Sequence, residues 1–166
     1  MRRATLLVTV GATVLALLAL VVGAVLAKTP SGVKATPVTA TQITRATLGN
    51  FEAENKGIEV DSGRRSADLA IVKVVLEPGG STGWHHHPGV VLVPVKAGSV
   101  TEYDAQCHKS VYKEGKGFVE SNGEVHLVRN EGDVKAVLYA MFLVPTSTPP
   151  EGLTISDPQP KGCNKK

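Results

Sequence analysis

Three of the five histidines in this 166-residue chain are consecutive: His85, His86 and His87, directly after Trp84, the single tryptophan. Side chains alternate along an extended strand, so His85 and His87 share one face and His86 takes the other. Two imidazoles spaced in this way can both reach one metal ion. A third ligand must then come from elsewhere, and His126, just past a Ser-Asn-Gly turn, is the candidate. Glu124 stands two residues before His126 and shares its face if the strand is regular. It reads as an accessory ligand, as a hydrogen-bond partner for an imidazole, or as an exposed carboxylate near the turn. His86 reads as a surface or inter-sheet residue, and His108 as exposed. The two cysteines, Cys107 and Cys163, are an even number. They can form a disulfide worth roughly 4 kcal/mol in the chain-entropy view, tying the C-terminal tail to the domain. The alternative is a thiol nucleophile at Cys107, beside His108.

The elements that must hold these residues read as strands. β-Branched and apolar runs stand at Asp68–Leu76, Val90–Val95, Ser99–Tyr103, Glu124–Arg129 and Val134–Val144. Between them lie turn signals such as Glu77-Pro78-Gly79-Gly80, Ala97-Gly98 and Asn130-Glu131-Gly132. Many short strands so spaced predict an all-β sandwich or barrel, and no long window keeps a helical period. On the predicted strand Val90–Val95, Val91, Val93 and Val95 share the inner face with His85 and His87, as core or as an apolar wall beside an ion. Trp84 falls on the opposite face.

The chain divides into four parts. Residues 1–27 carry Arg2 and Arg3 ahead of an uncharged apolar run from Ala4 to Ala27. At 1.5 Å per residue that run can cross a bilayer, and Val25-Leu26-Ala27 also offers a small-residue cleavage site. A retained anchor and a cleaved signal peptide both place the remainder outside the cytoplasm. Residues 28–40 read as a linker, 41–145 as one domain, and 146–166 as an irregular Pro-rich tail. The hydrophobic share of 42% suits a packed domain and excludes disorder throughout or a multi-span membrane protein. The formal net charge is +3; without Arg2 and Arg3 it is about +1. No basic stripe with interleaved aromatics occurs, so nucleic acid is not an expected partner. No phosphate-cradling glycine loop precedes a helix either.

Two segments resemble the motifs of the cupin superfamily. In Gly79–Gly98, GGSTGWHHHPGVVLVPVKAG, the residues Gly79, His85, His87 and Gly98 fall in register with the first motif. In Gly115–Asn130, GKGFVESNGEVHLVRN, Gly115, Gly123, His126 and Asn130 match the second, with Ser121 at its proline position. The resemblance implies a small jelly-roll β-barrel, metal ligation by His85, His87 and His126, and a tendency to form homodimers. The family's first-motif glutamate falls at Val91, which cannot ligate, so the expected ligand set is three neutral imidazoles. Three-histidine cupins with dioxygenase activity hold ferrous iron. The resemblance therefore favours Fe2+, with Zn2+, Mn2+ and Ni2+ as alternatives, and a small molecule in the barrel. Such a set leaves the ion its full charge and about three coordination positions. The expectation is an exported or membrane-tethered metal-binding cupin, either a metal-dependent enzyme or a non-catalytic envelope module that binds a small molecule or metal. A cupin that has lost its metal is the further alternative.

Overall fold

Residues Ala136–Pro145 bury every second side chain without interruption. Alternation of this kind needs a strand with one face on a core and the other outward. The computed structural model, which describes residues 38–55, 57–63 and 65–163, places this segment (β11) in the middle of a five-stranded antiparallel sheet. Its companions are β1 (Val38–Gly49), β4 (Ala67–Leu76), β6 (Val90–Ala97) and β9 (Gly117–Glu120), in the order β1-β4-β11-β6-β9. A second sheet holds β5 (His85–His86), β7 (Ser99–Asp104), β8 (Lys109–Lys113), β10 (His126–Arg129) and β12 (Ile155–Ser156), in the order β12-β5-β10-β7-β8. A separate hairpin, β2 (Glu52–Asn55) with β3 (Ile58–Asp61), completes the strands. Among the described residues the sole helical element is one 3-10 turn, Pro150–Gly152.

The result is an all-β, jelly-roll-like sandwich. Its main core is built from Val72, Leu76, Val91, Val93, Val95, Val100, Val128, Leu138, Phe142 and Val144. Val91, Val93 and Val95 are inward, as their alternation predicts. Several elements go beyond the sequence reading. β1 takes in Val38–Ala40, the end of the segment read as linker. The tail after Pro145 contributes Leu153 to the core and adds β12 against β5. The apolar segment 1–27 and most of the expected linker lie outside the described residues. Among the described residues no helix is long and apolar enough to cross a membrane.

A second apolar cluster, Trp84, Tyr103, Leu127 and Cys163, lies apart from the main core. Trp84 neighbours His85 in the chain, so alternation sends the two to opposite faces. Cys163 is disulfide-bonded to Cys107, so the thiol-nucleophile alternative is excluded. The bond fastens the tail beside Trp84, whose carbonyl accepts from the Asp157 N–H at 2.9 Å. Trp84 is thus a packing residue under the tail.

Two motif residues keep the loops in place. Gly98 (φ +75°) turns β6 into β7, and a Cβ there would stand 2.5 Å from the Lys135 carbonyl oxygen. Asn130 is fully buried. Its Nδ2 donates to the carbonyls of Leu76 (2.9 Å) and Val134 (2.7 Å), while its Oδ1 accepts from the Gly132 N–H (3.0 Å). The Asn130 main chain also exchanges bonds with Gly79 and Gly80, which start the loop leading to His85. Asn130→Ala leaves two carbonyls and one N–H without that partner. It should cost about 2–3 kcal/mol, read as a lower denaturant midpoint in urea unfolding; an unchanged midpoint would contradict this role.

Candidate metal centre

The site assembles where β5 pairs with β10, with His126 directly opposite His85. Chain alternation returns His87 to the same interior face, past His86. The three rings have centroids 4.3 to 5.1 Å apart, and one ligand nitrogen from each lies within 4.8 Å of the others. All three residues are buried. Phe142 of β11 meets the His87 ring edge-on at 5.2 Å, closing the apolar side.

Main-chain carbonyls decide which nitrogen faces the centre. His85 Nδ1 donates to the Gly83 oxygen at 2.9 Å, and His126 Nδ1 to the Glu124 oxygen at 2.9 Å. His87 Nδ1 donates to the oxygen of Leu153 at 2.6 Å, across from the C-terminal tail. A carbonyl can only accept, so each Nδ1 must carry its proton. Each Nε2 is then the nitrogen left for the interior, the arrangement in which protein imidazoles bind metal.

Glu120 is the site residue absent from the sequence reading. It ends β9, alternates inward with Phe118, and is only 6% exposed. One carboxylate oxygen lies 3.2 Å from His87 Nε2 and the other 3.1 Å from His126 Nε2. His126 Nε2 is nevertheless buried without an aligned hydrogen-bond partner. A carboxylate thus stands beside two of the three imidazoles, even though Val91 cannot supply one. Glu124 does not bring its carboxylate there; its side chain is exposed and only its carbonyl serves, as the acceptor for His126. The signal that could have exposed Glu120 is an acid at an inward position of a short strand, which requires recognising Gly117–Glu120 as that strand.

Electrostatics follow from this crowding. Burial, and then the fields of His126 and His87, push His85 down to about 3, so its ring is neutral at physiological pH. Burial works to raise Glu120, but its contacts with His126 and His87 outweigh that and hold the carboxyl at about 2. For His126 burial opposes the charged ring, while Glu120 and the Glu124 carbonyl raise it. Glu102, half-buried on β7, is raised by burial and by Glu120. The remaining histidines lie elsewhere: His86 Nδ1 meets Asp157 at 2.6 Å, and the exposed His108 meets Asp104 at 3.0 Å.

Residues 72–142 match the sequence model of the family described as Cupin domain. The chain therefore contains a cupin domain over those residues. Among solved structures, this cupin is similar to a cupin domain from Bordetella pertussis Tohama I, at 19% identity over 68% of this chain and 98% of that one, TM-score 0.47. It is also similar to a double-stranded β-helix protein from Klebsiella pneumoniae, at 20% identity over 48% of this chain and 65% of that one, TM-score 0.44. An oxalate oxidase is similar at 20% identity over 53% of this chain, TM-score 0.45; the cupin chain spans 45% of that enzyme's length. No curated protein matches the sequence.

The buried, unpartnered Nε2 of His126 and the three fixed Nδ1–H groups fit a metal ion. Ring-nitrogen NMR on metal-free protein tests the tautomer. The His85 signals should stay those of a neutral Nδ1–H ring between about pH 7 and pH 5, where an ordinary imidazole takes up its proton. Protonation of His85 near pH 6.5 would contradict the assignment.

Proposed function

We propose that this cupin binds one divalent transition metal through His85, His87 and His126, and that the ion serves a small molecule admitted to the barrel. The observation that carries the reading is the pinning of all three Nδ1 atoms to main-chain carbonyls. Histidines packed only as core need no common tautomer and no shared focus for their second nitrogens. Imidazole donors suit Fe2+, Zn2+ and Ni2+, with Mn2+ favoured more by oxygen ligands, and the cupin family resemblance puts Fe2+ first. When bound, the ion supplies a Lewis acid and, as iron, a redox centre for small-molecule chemistry. The chain's own residues hold that ion in place and limit water. His85 and His126 are set by adjacent β5 and β10, His87 is oriented by the tail, and Phe142 shields one side. A metal-dependent enzyme, dioxygenase-like if iron is bound, is the primary reading. The alternative is an envelope module that binds a small molecule or metal without turnover. The Cys107–Cys163 bond supports an oxidising, extracytoplasmic setting, which agrees with the export reading of residues 1–27.

Metal analysis of protein purified without a histidine tag tests the centre. The wild-type chain should carry close to one ion per molecule, and His126→Ala should lower that several-fold. Unchanged metal content in His126→Ala would overturn the site. Oxygen consumption by the iron-loaded protein with candidate small molecules then supports the enzyme; ligand binding without turnover supports the module.

A further inference from the structure

The carboxylate missing at Val91 and the carboxylate found at Glu120 belong to one register position. β6 and β9 are antiparallel, and Val91 is the direct partner of Glu120. Directly opposed residues of such a pair put their side chains on the same face, with Cβ atoms about 4.5–5.5 Å apart. A glutamate side chain is long enough to span that offset, so either backbone position can deliver a carboxylate to the same interior point. Val91 is wholly buried and occupies the volume beside it.

We infer that the metal's carboxylate ligand has moved across the sheet, from the first-motif position at Val91 to Glu120 on the neighbouring strand, so that the ion is held by three imidazoles and Glu120. This rests on the three-histidine reading above. Glu120 lies within 3.2 Å of two of the imidazole nitrogens, one oxygen to each. Its depth in the sandwich leaves it nothing else of opposite charge: its close ionic contacts are His87 and His126 alone among the described residues. An ion at the shared focus satisfies the carboxylate and the unpartnered His126 Nε2 together. Three neutral imidazoles and one carboxylate leave a divalent ion with a net charge of +1 rather than +2. That retains metal more firmly and draws an anionic molecule less strongly than a three-histidine set.

Titration of the metal-free chain with Co2+, followed through its visible absorption, separates the possibilities. Glu120→Gln keeps the size of the side chain and removes the charge. It should weaken Co2+ binding roughly 10–100-fold or more and change the visible band, because a ligand has been lost. The double variant Val91→Glu/Glu120→Val returns the carboxylate to β6 and should recover most of the affinity and the wild-type band. Circular dichroism confirms that each variant is folded. If Glu120→Gln binds Co2+ with the wild-type affinity and spectrum, Glu120 is no ligand, while loss of binding in His126→Ala would still uphold the histidine centre. Tighter binding by Glu120→Gln would also overturn the inference, since the carboxylate would then be competing with the ion. Failure of the wild-type chain to bind Co2+ would sink both readings.

Discussion

Three hydrogen bonds from ring Nδ1 atoms to main-chain carbonyls govern the centre of this protein. Two are local and one joins residues 66 apart in the chain, and together they fix three tautomers and turn three nitrogens inward. Two follow one pattern, in which a histidine donates to the carbonyl two residues earlier: His85 to Gly83 and His126 to Glu124. The third, from His87 to Leu153, draws the tail into the site. The fold is arranged to keep these acceptors still. Asn130 and Gly98 fix the loops, the pairing of β5 with β10 sets His85 against His126, and the Cys107–Cys163 bond clamps the tail. The tail that the disulfide secures also contains Leu153, a hydrogen-bond partner of the site.

The second constraint is charge. A carboxylate buried among imidazoles is tolerable only when something positive shares its space. The register of β6 against β9 puts Glu120 where that compensation is available, beside His87 and His126, while valine fills the opposing position. Strand pairing, rather than sequence order, determines which residue delivers the charge. This explains how a domain with an interrupted first motif still presents a carboxylate at its centre.

Much of this was legible in the residues. The histidine trio shows because a spacing of two on a strand is itself a geometric statement, and because His126 sits at the matching point of a second motif. Long β-branched runs such as Asp68–Leu76 and Val134–Val144 correspond to β4 and β11 with small shifts at their ends. β1 and β9 were less visible. The first is polar at half of its positions, with most of its side chains exposed, and the second is four residues long. Glu120 could not be found without β9, since its inward aim is a consequence of pairing. Leu153 was hidden for another reason: its contribution is a carbonyl, which every residue carries. Glu124 illustrates the same point, because it acts through its main chain while its side chain faces out.

The reading of the site turns on three imidazole nitrogens meeting at one ion inside the sandwich. X-ray absorption at the edge of the bound metal, in Zn2+-loaded protein, measures this directly. A three-histidine centre gives an imidazole scattering pattern best fitted by three histidines, with metal–nitrogen distances of about 2.0–2.1 Å. A spectrum containing only oxygen scatterers, or a single imidazole, would contradict it.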